Sequence, residues 1–192
     1  MWGEGFADAG WAMSLLLGLA RVIDAFNDRM GRAISWLTLV MVLVTVVIVV
    51  LRYGFNIGFI WMQESVRFMH SFVFLLCASY TLLKNEHVRV DVFYLKMGER
   101  GKAWVDIFGT LAFLIPVSAV IIYFSLDYVL NSWEQLEGSL EERGLHFVYL
   151  LKTCIWIFAG TMILQGISLI IHSVATLLGI EHKPPEEHEH AL

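Results

Sequence analysis

Three ionisable side chains, Glu64, Arg67 and His70, follow one another at intervals of three in an otherwise apolar stretch. On an α-helix this spacing places them on one flank, where Glu64 can form an ion pair with Arg67. Ionisable groups are costly next to lipid, so such a flank normally faces protein or the headgroup region. The pattern is typical of an ion pair at the end of a membrane helix, and it also fits a polar contact with a partner subunit.

Two further residues belong with this group. Arg52 ends the apolar run that precedes it, and Trp61 stands three residues before Glu64. One carboxylate could meet two guanidinium groups through charge-assisted hydrogen bonds, and tryptophan is common at the membrane interface. We therefore predict a polar cluster of Arg52, Trp61, Glu64 and Arg67 at one face of a membrane.

Catalytic motifs are absent from the sequence: it has no P-loop, no G-x-G-x-x-G, no H-E-x-x-H and no G-x-S-x-G element. The alternative chemistry is haem ligation by histidine pairs across helices, as in a redox membrane anchor. His70 is expected about 13 Å below one end of its helix, His172 at the opposite end of another, and His87 and His146 outside the spans. Since no two are level, we predict neither an enzyme nor a cofactor or metal site.

A self-contained small transporter is the second alternative, because polar groups at mid-membrane could hold a substrate and a coupling ion. The middles of the apolar runs 34–51, 107–126 and 153–171 offer only Thr45, Ser118, Thr161 and Gln165 as polar side chains. Such residues more often form helix packing contacts than ligand sites. Gln165 is therefore predicted to be an interface or structural residue.

The elements that must position these residues follow from composition. The chain has 192 residues, of which 58% are hydrophobic and 16% charged, which indicates a helical membrane protein. Its net charge of −5 and the absence of a basic stripe argue against nucleic acid as a partner. The fold class is all-α, with a four-helix transmembrane domain over 34–180 and a kink expected at Pro116. The predicted spans cover about 34–52, 61–83, 104–126 and 150–173.

The segments at either end are expected to differ from the spans. In residues 1–33, apolar positions recur at helical spacing while Arg21, Asp24, Asp28 and Arg32 occupy the other face, which favours an amphipathic helix lying in the membrane surface. The tail, 181–192, is acidic, histidine-containing and interrupted by two prolines, and is predicted to be disordered.

Orientation follows from the lysine and arginine residues, which concentrate in short cytoplasmic segments. With four spans both termini lie on one side. The nine basic residues expected on that side are Arg21, Arg29, Arg32, Lys84, Arg89, Lys96, Arg100, Lys102 and Lys183. The four on the other side are Arg52, Arg67, Arg143 and Lys152. Both termini are therefore predicted to be cytoplasmic.

The block from residue 51 to 93 resembles the small membrane subunit, the Q subunit, of tripartite ATP-independent periplasmic (TRAP) transporters. The motifs that carry the resemblance are, in chain order, Arg52-Tyr53 with Phe55-Asn56, Trp61 three residues before Glu64, and His87-Val88-Arg89-Val90-Asp91. The likeness extends over about 34–175. It departs from the family at 143–146, where Arg-Gly-Leu-His stands in place of a frequent Gly-Gly-Leu-Pro turn.

The resemblance implies a subunit of a sodium-coupled symport system for organic acid uptake in a bacterial inner membrane. A periplasmic substrate-binding protein would capture the acid, a large multispan subunit would carry it, and this chain would act as a scaffold for the large subunit. The basic and histidine-containing turn at His87, Arg89 and Asp91 is predicted to be a docking site for the partner or for phospholipid headgroups. An ordinary loop on the cytoplasmic side is the other interpretation of that turn.

Overall fold

The computed structural model describes residues 3–87, 94 and 96–181, with side chains from residue 11 onward. This part of the chain is helical and contains no strand. A π-helical turn, Thr110–Leu114, joins α4 to α5. The helices are α1 (Gly3–Gly54), α2 (Ile60–Leu76), α3 (Ala78–Leu83), α4 (Glu99–Gly109), α5 (Ile115–Glu134) and α6 (Val148–Leu177).

Four stretches of helix are long and apolar enough to cross a membrane, which confirms the all-α fold class and the number of spans. The first lies in α1, the second is α2 with α3, the third is α4 with α5, and the fourth is α6. A single residue, Cys77, separates α2 from α3, and its amide N–H still donates to the carbonyl oxygen of Val73. The second span therefore reaches 24 residues, about 36 Å of helix.

The separate surface helix expected before residue 34 is not confirmed, because α1 runs without a break through 52 residues. Its residues Ala20, Ile23, Asn27 and Gly31 are buried, and they recur at the three- and four-residue spacing of one helix face. The leading part of α1 is thus attached to the bundle by a mixed small and polar face. Several of its larger apolar side chains, such as Leu19 and Val22, point outward, whereas Leu17 and Ile23 are buried.

The proline in the third span coincides with an irregular turn, as the sequence led us to expect. Pro116 has no amide hydrogen and cannot complete the regular helical pattern behind it. In the π-helical turn before it, the N–H of Ile115 donates to the carbonyl oxygen of Thr110, five residues back. Thr110 is buried there, and a Cβ atom at Gly166 would lie 3.0 Å from its methyl group. The wide turn therefore packs closely against α6 at Gly166.

The bundle is organised around α6, which contacts each of the other described helices. The buried apolar cluster is small and consists of Leu17, Ala20, Ile171 and Ala175. Much of the remaining buried surface comes from small or polar side chains such as Ser79, Ser118 and Ser168. Such residues let helices approach closely within the bilayer. Close packing matters there because apolar side chains gain little free energy by exchanging lipid contacts for contacts with one another.

Candidate functional site

The first polar site lies at the end of the bundle where α2 begins and where α5 is connected to α6. Glu64 is only 4% exposed. One of its carboxylate oxygens accepts hydrogen bonds from the Arg67 guanidinium at 2.9 Å and the Ser139 hydroxyl at 2.5 Å, and the other accepts from the Leu145 backbone N–H at 2.6 Å. We call these four residues the Glu64 clamp. It attaches the 135–147 loop to α2.

The loop is closed by its own backbone as well as by the clamp. The Ser139 N–H donates to the carbonyl oxygen of Leu145 at 2.9 Å, and the Val148 N–H donates to that of Glu137 at 3.1 Å. Gly144 lies against the clamp, where a Cβ atom would come within 2.6 Å of a Glu64 carboxylate oxygen. A side chain at that position would displace either the loop or the carboxylate. Gly144 is thus required by close approach.

A second ion pair ties the same loop to α6. The Lys152 ammonium lies 2.5 Å from a carboxylate oxygen of Glu137 and 3.8 Å from the centroid of the Tyr128 ring. The ammonium group holds the pKa of Glu137 below its ordinary value of 4.5. The start of the loop is therefore fixed to both α5 and α6.

The predicted pairing of Glu64 with Arg67 is present, but the other two members of the predicted cluster lie apart from it. Arg52 is at the surface near the end of α1 and takes part in none of the ion pairs among the described residues. Trp61 is 48% exposed, and its ring lies in a tilted arrangement beside that of Phe59, with the ring centroids 6.2 Å apart, rather than against the clamp. The clamp thus draws its donors from the loop instead of from Arg52.

A second polar site, the Asp24 network, joins α1 to α6 toward the other end of the bundle. One oxygen of Asp24 accepts from the Ser168 hydroxyl at 2.6 Å and from the Gln165 side-chain amide at 3.0 Å, and the other lies 3.0 Å from a ring nitrogen of His172. The opposite ring nitrogen of His172 is 2.7 Å from Glu181. The network thereby connects the chain following α6 to the first half of α1.

Asn27 extends the network to α3. It is fully buried, donates to the side-chain amide oxygen of Gln165 at 2.7 Å, and accepts from the Ser79 hydroxyl at 3.2 Å. The next residue in the chain, Asp28, pairs with Lys84 at 2.9 Å and also with Arg32. Gln165 is therefore an intrachain link between helices.

A cavity of about 220 Å³ adjoins this network. Asp24, Gln165, His172 and Glu181 line one part of it, and Asp106 of α4 another. The Asp106 carboxylate accepts a hydrogen bond from the Tyr94 hydroxyl at 3.0 Å. The polar groups of α1 and α6 that face the cavity thus bond to one another, while Asp106 on the α4 side bonds to Tyr94. Among the described residues, no cluster of three or more metal-ligating side chains is present.

The predicted docking turn is only partly within the described residues. His87 follows α3, and its Nε2 atom is buried without a hydrogen-bond partner among those residues. Arg89 and Asp91 lie outside the described residues, as does the tail from residue 182. The role of this turn stays a prediction.

Sequence reasoning missed Asp24 and Asn27 as site residues, since it assigned Asp24 to a solvated face. A signal was present: Ala20, Asp24, Asn27 and Gly31 form a stripe of small and polar residues at helical spacing. In a helix otherwise rich in large apolar side chains, such a stripe marks the face that packs against another helix. Ser139 and Leu145 carried no comparable signal, since they lie 75 and 81 residues from Glu64 in the chain.

Fold and sites together define a multi-pass helical membrane protein whose buried polar groups connect its own elements. Comparison with known proteins gives the family. The family model for tripartite ATP-independent periplasmic transporters, DctQ component, matches residues 41–176, and the chain belongs to this family, the small membrane component of TRAP transporters. The recognition made from the sequence motifs is thus confirmed. The chain matches no curated protein and no solved structure.

Membership of this family makes the chain a component of a transporter rather than a member of an enzyme family. The matched residues run from α1 to the end of α6, so they include both the Glu64 clamp and the part of the Asp24 network that lies on α6. They do not include Asp24 and Asn27 themselves. The attachment of the leading part of α1 is therefore a feature of this chain beyond the matched region.

Proposed function

We propose that this chain scaffolds the large multispan subunit of a TRAP transporter in sodium-coupled, binding-protein-dependent uptake of an organic acid. The proposal rests on the observation that the polar side chains of the two sites bond to other groups of the same chain. Glu64, Asp24 and Gln165 all have hydrogen-bond partners within the chain. A carrier needs polar groups free to exchange a substrate and an ion, whereas a scaffold needs them for its own rigidity.

The apolar surface supports the same function. In the most hydrophobic stretch of α1 no residue is buried within the chain, and Trp36, Leu39 and Leu43 are all more than half exposed. Lipid or a second membrane protein must cover this face. A large subunit packed on part of it would gain a firm lateral support, because α1 is bonded along its first half to α3 and α6.

The proposed location is a bacterial inner membrane, with both termini in the cytoplasm and the Glu64 clamp on the periplasmic side. The asymmetry of the basic residues supports this orientation. It would place the 135–147 loop where a periplasmic substrate-binding protein could approach, and the Asp24 network near the cytoplasmic face.

The test is co-purification. Affinity-tagged chain, expressed in a host that carries the neighbouring transporter genes and extracted in mild detergent, should retain a larger multispan protein that mass spectrometry identifies as a TRAP subunit. Substituting Leu39 and Leu43 by arginine should reduce the recovered partner if this face contacts it. Recovery of the chain alone, from membranes in which the large subunit is present, would contradict the scaffold function.

A further inference from the structure

A groove beside the Glu64 clamp has no assigned role. Two cavities, of about 460 and 520 Å³, meet at Arg67 and Glu141, which line both. We call them together the Arg67–Glu141 groove. Its apolar wall consists of Phe68, Leu140, Val148 and Leu151, and its other end is lined by Ile60 and Gln63 at the start of α2.

The two charges in the groove are held in place relative to each other. The hydroxyl of Ser139 donates to Glu64 at 2.5 Å and accepts the backbone N–H of Glu141 at 3.1 Å. Arg67 donates to the same Glu64 at 2.9 Å. One buried carboxylate therefore fixes both the arginine and the backbone that carries Glu141.

Both charges remain able to bind a ligand. The Arg67 side chain is 70% exposed and uses one guanidinium nitrogen on Glu64, which leaves further N–H donors for an anion. The Glu141 carboxylate is exposed and belongs to none of the ion pairs among the described residues. The third acidic residue of the groove, Glu137, is already paired with Lys152.

The position of the groove matches that of lipid headgroups. Trp61 at the start of α2 and Trp133 at the end of α5 are both exposed at this end of the bundle, and exposed tryptophan marks the interface between lipid and water. The apolar wall continues from the charged end onto α2 and α6, which are membrane-spanning stretches. A ligand here would need a charged head and an apolar chain.

We infer that the groove binds a zwitterionic phospholipid with a primary amine, of the phosphatidylethanolamine class. The phosphate would accept hydrogen bonds from Arg67, the ammonium would donate to Glu141, and one acyl chain would lie along the apolar wall. Phosphatidylglycerol offers no cation for Glu141, and the quaternary ammonium of phosphatidylcholine has no N–H to donate. This site does not depend on the proposed transport function.

Native mass spectrometry of the full chain tests the inference, with the three phospholipids compared at equal acyl-chain length. Phosphatidylethanolamine should bind about tenfold more tightly than the other two, the effect of one additional charge-assisted hydrogen bond. In Glu141→Lys, which leaves Arg67 and the clamp intact, the preference should reverse toward phosphatidylglycerol. The matched control Glu142→Lys, on the same exposed loop, should keep the preference for phosphatidylethanolamine.

Equal affinity of the wild-type chain for all three lipids would overturn the inference. So would a Glu141→Lys variant that behaves like Glu142→Lys. A third contrary result is a complex in which the large subunit covers the groove, detected as protection of a cysteine at Leu140 from labelling only when that subunit is present. The first two results would leave the proposed scaffold function untouched, and the third would show that the large subunit binds the chain at this groove.

Discussion

At the scale of single residues, Glu64 is a buried carboxylate that is closely constrained by its partners. Its carboxylate receives hydrogen bonds from a guanidinium, a hydroxyl and a backbone amide, while its surroundings exclude water almost completely. A buried carboxylate is tolerated only when such partners replace its hydration. The residue therefore holds the 135–147 loop in one conformation.

Replacing Glu64 by glutamine should loosen that loop. The variant loses the charge that strengthens the bonds from Ser139 and Leu145, so we expect the free energy of unfolding to fall by about 1.5–3 kcal/mol. Denaturant unfolding in detergent micelles measures the change. Glu142→Gln, an exposed carboxylate of the same loop, is the control and should unfold like the wild type. Equal stability of both variants would show that Glu64 is solvated and that its hydrogen bonds add no stability to the fold.

The ion pair of Glu137 with Lys152 predicts a dependence on pH. The pKa of Glu137 is lowered in the folded chain, so the pair contributes stability above the pKa of the unfolded state. That contribution is lost as the pH falls through the lowered folded value. The melting temperature should thus be insensitive to this pair near neutral pH and should decrease below about pH 4.5. Glu137→Gln should decrease less steeply over the same acidic range, and an identical acidic slope would contradict the assignment.

Local spacing determined how much of these sites could be predicted. The pairing of Glu64 with Arg67 follows from an interval of three residues on one helix. The donors from Ser139 and Leu145 depend on the position of a distant loop, which no helical period encodes. Arg52 was placed in the cluster because of a short connection, yet in the structure it lies on the outer surface of α1.

At the scale of the helices, the four spans were predictable because lipid forces long apolar runs to satisfy their backbone groups internally. The course of α1 was harder to predict from the sequence. An interfacial helix and a continuous one share the period of 3.6 residues, and only the partner on the other side decides which face is buried. Here α6 supplies Gln165, Ser168 and His172, and the polar face of α1 turns inward to meet them.

A double-mutant cycle tests this attachment of α1 to α6. Gln165→Leu and Asn27→Leu should each lower the free energy of unfolding by about 0.6 kcal/mol, the average for hydrogen bonds between membrane helices, and by at most about 1.7 kcal/mol. Because the two amides bond to each other, the double variant should cost less than the sum of the two. Gln135→Leu, at the exposed end of α5, should have little effect. Strict additivity would show that the two residues do not interact.

At the scale of the whole molecule, orientation decides which partners each site could meet. With the predicted cytoplasmic termini, a cysteine introduced at Asn131 should react with a membrane-impermeant maleimide in intact cells, and one at Lys96 should not. Both variants are made in a background in which Cys77 and Cys154 are replaced. The opposite labelling pattern would place the Glu64 clamp on the cytoplasmic side and would overturn the proposed arrangement of partners.

The central claim is that this TRAP component supports transport without carrying the substrate itself. The most direct measurement is uptake of labelled organic acids into sealed vesicles under an inward sodium gradient. We expect no saturable uptake with this chain alone, and sodium-dependent uptake when the large subunit and the binding protein are added. Saturable, sodium-dependent uptake by this chain alone would contradict the claim and would make the chain a carrier in its own right.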